Sequence, residues 1–375
     1  MISIPAFAKI NLGLKIGPAR PDGFHELRTI YQILALHDIV RVDVQPGSGI
    51  GIRCDHPGVP VDESNTCYKV AERVLAAMVE AQHRTARGEP QVPRLTALPR
   101  DDKDRATGYG AAEAAPLQNQ TPENPGRIVI EIEKRLPVQG GMGAASSNAV
   151  ATMIALERAL GVELAPAEKL RIAAEVGSDL PLFLIGGTVL GVGRGEEVFP
   201  MPDLPRLHLV VVTPPVGVST PLAFARWDEL NTLESALTGD SAAGTISEFS
   251  QSVFAWLTKS FPQAGPASGV PAVGGNRAET PLLDLVRAGI ENDFERVVFP
   301  EYPDLREVKE LLLRAGAYYA SLSGSGAALY GLFGSDVEAR KAAETMVAVG
   351  HKAIPTTTLT REEYWKAMQS ASYEL

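Results

Sequence analysis

The sequence predicts an α+β protein of two domains. Its 375 residues give two domains as the expectation from length. A hydrophobic fraction of 45% with 6% aromatics is ordinary for a globular chain with ample core. The last quarter reads helix, strand, strand, helix, strand, an order that lays one helical layer on an antiparallel sheet.

The elements follow from periodicity. Segment 7–16 alternates strictly, with Ile10, Leu12, Leu14 and Ile16 on one face and Lys9, Asn11, Gly13 and Lys15 on the other, which is a strand. Segment 38–44 reads as another strand, and 65–82 as a helix through Val70, Val74, Leu75 and Met78. Segment 84–126 is rich in Pro, Gly, Ala, Arg and Asp with almost no large apolar residues. It reads as a surface insertion, mobile or loosely packed. A strand over 127–133 leads into a Gly-rich turn at 139–145 and a helix over 146–160 ended by Gly161. Pro166 opens a helix that Gly177 closes. Strands at 187–192 and 207–213 and a short helix from about residue 219 come next. A second Ala/Gly/Ser/Pro-rich region covers 238–280. Beyond it lie a helix at 303–315, strands at 317–322 and 327–333, a helix at 335–347 and a strand near 351–355. The expected division is a first domain over 1–200, carrying the insertion 84–126, and a second over 201–375, carrying the insertion 238–280.

Charge and cysteine usage exclude several function classes. With 35 basic and 45 acidic residues the net charge is −10, which argues against a general nucleic-acid binder. A local basic pocket remains compatible with a small anionic substrate. Cys54 and Cys67 belong to no Cys/His cluster, so a structural zinc site is not expected, and two free thiols fit a reducing cytosol. No run approaches the ~18 to 20 apolar residues of a membrane span, and Lys9, Asn11 and Lys15 interrupt any signal-peptide core. The expected location is the cytoplasm, without membrane partners.

Four features carry candidate chemistry. In LPVQGGMGAASSNAV at 136–150 a strand runs into Gly140, Gly141 and Gly143, and Ser146 and Ser147 open a helix. Glycines let backbone approach a ligand, and the free N–H groups and dipole of a helix start favour an anion. The same residues also fit a linker with serine caps. It is not a Walker A loop, because no Gly-Lys-Ser/Thr ends it. Lys9 and Asn11 share a strand face, which reads either as an exposed edge or as the floor of a site. Asp179 lies just past a helix end and before Pro181, as a turn residue or as a polar group set in a cleft. The turn Ser323-Gly324-Ser325-Gly326 is a hairpin signal first and a ligand contact second.

Taken in order, these segments resemble the GHMP kinase superfamily. The resemblance rests on PAFAKINLGLKI at 5–16, RPDGFHEL at 20–27, GSDLPLFLIGGT at 177–188, VSTPLAF at 218–224 and LSGSGAALYGLF at 322–333. It covers nearly the whole chain apart from the two insertions. Within the superfamily it is greatest to the branch whose substrate is an alcohol linked to cytidine diphosphate. It implies an N-terminal ribosomal-protein-S5-like α/β domain and a C-terminal ferredoxin-like α+β domain. It implies ATP as phosphoryl donor and Lys9 and Asp179 as the catalytic pair, with Asp179 accepting the hydroxyl proton. It also implies a phosphate loop of Pro137, Val138, Gln139, Gly140, Gly141, Met142, Gly143, Ala144, Ala145, Ser146 and Ser147. Asn11 matches a polar group near the acceptor, Phe24 and Phe224 match aromatics that sandwich a cytosine, and His25 matches a residue hydrogen-bonding its edge.

Mg²⁺ is expected with ATP, its side-chain ligands unassigned beyond Ser146 or Ser147. A monomer or homodimer is expected. Gln139, Ala144 and Ala145 stand where the family often has glycine; alanine suits a helix start, whereas Gln139 adds a side chain beside the nucleotide. Two alternatives stay open, a sister kinase for homoserine or mevalonate and a binding protein that kept the fold without turnover. The cytosine clamp in RPDGFHEL argues against the first, and intact Lys9 and Asp179 against the second.

Overall fold

The computed structural model of the protein describes residues 1–86, 126–138, 140–238, 249 and 291–370. The insertions 84–126 and 238–280 therefore fall almost entirely outside the described residues, as does Gln139. Two long strands, β1 (Ile2–Ala19) and β2 (His25–Gln45), pair antiparallel. Around them β3 (Ile50–Arg53), β4 (Arg127–Glu133), β5 (Thr188–Val192) and β6 (Glu197–Pro200) complete a six-stranded sheet. Its order is β3-β4-β2-β5-β6, with β1 also on β2 and β3 parallel to β4.

One face of this sheet is covered by α1 (Thr66–Ala86), α2 (Ala144–Leu160), α3 (Pro166–Val176) and α4 (Leu180–Ile185). Helix α2 runs through the middle of this core, buried at every residue from Ser147 to Glu157. A second, antiparallel sheet has the order β10-β7-β9-β8, built from β7 (His208–Val212), β8 (Tyr319–Leu322), β9 (Leu329–Phe333) and β10 (Ala353–Thr357). Its own core includes side chains from α5 (Thr220–Thr238), α6 (Glu295–Glu301), α7 (Pro303–Arg314) and α8 (Asp336–Ala348). A last helix, α9 (Arg361–Gln369), opens with a capping box between Thr360 and Glu363. It returns to the first core, where Tyr364 donates to the Phe183 carbonyl (2.6 Å) and Trp365 to that of Ile185 (2.9 Å).

The strands of the two sheets separate between Pro200 and His208. We therefore propose a domain boundary near residue 200, with α9 as a C-terminal segment that belongs by packing to the first unit. A third cluster sits between the sheets, joining Ile10, Leu12, Ile30 and Leu34 to Leu207, Leu209, Val211, Tyr330 and Leu332. This explains why the first half of β2, absent from the expected strand over 38–44, escaped its periodicity. Residues Thr29–Leu34 are buried on both faces, and a strand covered on both sides loses its alternation.

The register of β1 slips between Phe7 and Lys9 and again between Asn11 and Gly13. A bulge re-aims the side chains that follow it. Upstream, Ile4 and Ala6 pack toward the helices, whereas Ala8, Ile10 and Leu12 pack between the sheets. Lys9 and Asn11 consequently face the helical layer and are 3% and 2% exposed, so the exposed-edge reading of this face is not what the fold adopts.

The fully buried Asp38 in β2 ties the entrance of the glycine loop to the sheet. Its carboxylate accepts from Lys134 Nζ (2.7 Å), the backbone N–H groups of Arg135 (2.7 Å) and Leu136 (2.6 Å), and Asn148 Nδ2 (3.0 Å). Breaking a buried pair strands the surviving charge. Asp38→Ala should therefore lower unfolding stability by about 3 to 5 kcal/mol in denaturant titration. A loss below about 1 kcal/mol would show that the knot does not anchor the loop.

Candidate active site

The site is built from five chain segments that meet around the middle of β1: β1 itself, β2, the glycine loop, the start of α4 and the Ser323–Gly326 turn. The Lys9 side chain is 4% exposed; its ammonium lies 3.2 Å from Asp179 Oδ2 and donates to Asn11 Oδ1 at 2.8 Å. Asn11 in turn donates to Thr29 Oγ1 (2.7 Å), which donates to the Gly13 carbonyl (2.8 Å). Asp179 is the residue just before α4, a helix of six residues that is too short to show a period in the sequence. An aspartate there ordinarily caps its own helix, yet its side chain makes no such bond. It is taken instead by Lys9 and by the Tyr31 hydroxyl, which donates to Oδ1 at 3.1 Å. Burial, reinforced by the neighbouring carboxylate, pushes the Tyr31 hydroxyl well above its ordinary range, so it stays a donor. The Asp179 side chain remains 30% exposed and has acceptor capacity to spare.

The glycine loop passes directly over Lys9. Lys9 N–H donates to the Met142 carbonyl at 3.0 Å, and a Cβ on Gly143 would stand 3.1 Å from Lys9 Cγ and 3.0 Å from the Phe183 ring. Gly143 also has φ of 67° and precedes α2 without any side-chain cap. Helix α2 thus begins at Ala144, two residues before the expected start. Its first hydrogen bond runs from Ser147 N–H to the Gly143 carbonyl at 2.8 Å, and the N–H groups before it have no acceptor within the helix. On the other side, the turn Ser323–Gly326 closes on the loop. Ser323 Oγ donates to the Gly141 carbonyl (3.0 Å), Ala328 N–H to that of Gly140 (3.2 Å), and a Cβ on Gly141 would overlap the Ser323 carbonyl.

Beside the loop opens a cavity of about 330 Å³. It is lined by Pro137, Val138 and the whole run Gly140, Gly141, Met142, Gly143, Ala144, Ala145, Ser146, together with Val59, Asn65, Lys134 and Asn148. Ser147 is 2% exposed and is not among the lining residues, so the two serines part company and Ser146 alone reaches the cavity.

The aromatic residues expected around a base lie at the other end of the β1–β2 hairpin. His25 Nε2 is 2.7 Å from Asp228 Oδ1, and the His25 ring stacks on Phe224 at 4.9 Å and 11°. Phe224 meets Phe294 edge-on. Phe24 is 50% exposed and carries the Arg194 guanidinium 4.8 Å from its ring centre. The ring parallel to Phe224 is thus His25, and Phe24 stands apart with its own cationic cover. Sequence reasoning missed Tyr31, Asp38, Asp228 and Arg194, since the signal of each is a partner on another segment: Asp179 for Tyr31, Lys134 and Asn148 for Asp38, His25 for Asp228 and Phe24 for Arg194.

Among the described residues no group of three His, Cys, Asp or Glu side chains is arranged to hold a metal ion, and no helix is long and apolar enough to cross a membrane. Both cysteines are free, and burial pushes the Cys67 thiol up to about 12.

Comparison with known proteins identifies the family. The GHMP kinases N-terminal domain matches residues 109–187, and the GHMP kinases C-terminal domain matches residues 278–352. The 4-diphosphocytidyl-2-C-methyl-D-erythritol kinase of Solibacter usitatus is 34% identical over 88% of this chain and 80% of its own length. That of Acaryochloris marina is 30% identical over 95% and 94%. A crystal structure of 4-(cytidine 5'-diphospho)-2C-methyl-D-erythritol kinase superposes with a TM-score of 0.59 at 25% identity, covering 95% of this chain and 99% of that one. The L. major mevalonate kinase shares the fold, with a TM-score of 0.61 at 16% identity over 96% of each chain. The fold is accordingly the two-part GHMP kinase fold, S5-like then ferredoxin-like, and the protein is a phosphotransferase. The chain belongs to the 4-diphosphocytidyl-2-C-methyl-D-erythritol kinase family of the GHMP kinases.

Proposed function

We propose that this enzyme transfers the γ-phosphoryl group of ATP to the 2-hydroxyl of 4-diphosphocytidyl-2-C-methyl-D-erythritol, a step of isoprenoid precursor synthesis by the non-mevalonate route. The observation that carries the reading is the double contact of Lys9. Its stem packs against the glycine loop at Gly143, and its ammonium pairs with Asp179. One side chain therefore joins an anion-binding helix start to a half-exposed carboxylate, the two parts needed to bring a phosphoryl donor and a hydroxyl acceptor together.

Phosphoryl transfer depends chiefly on positioning and charge neutralisation. In this proposal the uncapped start of α2 receives the triphosphate through the N–H groups of Ala144, Ala145 and Ser146 and the helix dipole. The adenosine lies in the adjoining cavity, whose walls at Val59, Pro60 and Met142 are apolar. Asp179, oriented by the Tyr31 hydroxyl, accepts the proton of the acceptor hydroxyl, and Lys9 offsets the charge on the group in transit. Mg²⁺ bound to ATP supplies further neutralisation. Such an ion takes few protein ligands and mostly phosphate and water oxygens, which fits a site offering the Ser146 hydroxyl and, among the described residues, no carboxylate cluster. Location in the cytoplasm belongs to the same proposal.

Asp179→Asn keeps the shape and removes the base. It should cut kcat by a factor on the order of 10² to 10⁴ while ATP still binds; near-normal kcat would remove Asp179 from this role. At the far end, the Phe24 ring supplies stacking worth roughly 1 to 3 kcal/mol per base. Phe24→Ala should raise KM for the full substrate about tenfold and leave KM for ATP nearly unchanged. The alcohol lacking its diphosphocytidyl group should be a very poor substrate, because binding of the remote base positions the hydroxyl. Equal turnover of that truncated alcohol would favour a sister kinase.

A further inference from the structure

The turn joining β5 to β6 presents an arginine that the proposed reaction has not yet used. Arg194 N–H donates to Glu196 Oε2 at 2.6 Å and Arg194 Nε to Oε1 at 3.0 Å. The guanidinium lies 4.8 Å from the Phe24 ring centre, with 30% of the side chain exposed. Its two terminal nitrogens form no hydrogen bond among the described residues. The turn itself is pinned on both sides. The Gly193 carbonyl accepts from Leu27 N–H at 2.6 Å, and Gly195 lies so close to Tyr31 that a Cβ would fall 2.5 Å from its hydroxyl. That hydroxyl is the one donating to Asp179. Arg194 is therefore held between the carboxylate proposed to receive the alcohol and the ring proposed to receive the base.

A ligand that spans these two points must carry its connecting group past Arg194. If the substrate is the one proposed above, on which this inference rests, that group is a diphosphate. We propose that Arg194 binds this diphosphate and so sets the enzyme's preference for a nucleoside-diphosphate-linked alcohol. The chemistry matches. A guanidinium offers a planar fork that meets phosphate oxygens two at a time. Glu196 holds the Nε edge and the Phe24 ring supports the flat face, so the fork is pre-organised and little entropy is lost on binding. Two neighbouring cations are otherwise engaged: Arg20 with Asp22 and Glu26, and Lys15 with Asp293. In a chain of net charge −10, a local cation is needed to draw in a multiply charged anion.

The test is calorimetric binding of cytidine diphosphate and of cytidine to the wild-type protein, Arg194→Gln and Arg194→Lys, with KM for ATP as a control on the nucleotide side. The wild type should bind cytidine diphosphate more tightly than cytidine. Arg194→Gln should weaken cytidine diphosphate by about tenfold or more and leave cytidine within about twofold. Arg194→Lys should recover part of the loss, since a lysine keeps the charge without the fork. KM for the full substrate should rise in step while KM for ATP holds. Unchanged affinity of Arg194→Gln for cytidine diphosphate overturns the proposal and leaves the substrate reading intact. An equal loss for cytidine also overturns it, by showing that Arg194 only props the Phe24 ring. A wild type that binds neither ligand removes the substrate reading, and this proposal with it.

Discussion

The ammonium of Lys9 sits in the interior, its side chain 4% exposed, and an ion taken out of water costs several kcal/mol unless partners replace the lost solvation. Much of the surrounding architecture supplies those partners. Asp179 must be aimed at it, which the start of α4 does by leaving the aspartate free of its own helix. Asn11 must lie on the same face, which the slips in the register of β1 arrange. Gly143 must lack a side chain, or its Cβ would crowd the lysine stem and the Phe183 ring. The same glycine turns the chain into α2 and leaves the first N–H groups of that helix without a cap. Satisfying a buried cation and preparing an anion site are thus one construction.

The second sheet contributes a wall to this construction. The Ser323–Gly326 turn touches both the loop and the strand: Ser323 Oγ holds the Gly141 carbonyl, and a Cβ on Gly324 would stand 3.4 Å from Asn11 Oδ1 and 3.8 Å from Lys9 Nζ. Asn292 pins the turn from behind through the Leu322 and Gly324 carbonyls, each at 2.8 Å. The loop is therefore gripped from both domains, and the apolar cluster between the sheets keeps that grip in register.

Much of the fold was legible from local start and stop signals, even for α2, which is buried at every residue from Ser147 to Glu157. The helix ended by Gly161, the helix opened by Pro166 and the strand over 127–133 each carry local stop and start chemistry, and the structure places them where those signals fall. What escaped was buried on all sides or too short to show a period: the first half of β2, the six residues of α4, and the four-residue strands β3 and β6. For the site, Lys9, Asn11, Asp179 and the loop stood out in the sequence, and the structure brings them within bonding distance of one another. Tyr31, Asp38 and Arg194 did not, since each acts through a partner on another strand or turn. A bulge in β1 decides which way Lys9 points, and nothing in a strictly alternating segment announces a bulge.

The central claim is that Lys9 and Asp179 act as one unit across the loop and the acceptor site. A double-mutant cycle on kcat, with Lys9→Met, Asp179→Asn and the double variant measured under saturating ATP and cytidine-linked substrate, tests it directly. Residues that act together are strongly non-additive. The double variant should lose about as much turnover as the worse single variant, within roughly threefold. Losses that multiply would mean that the two residues work independently, and would contradict the account.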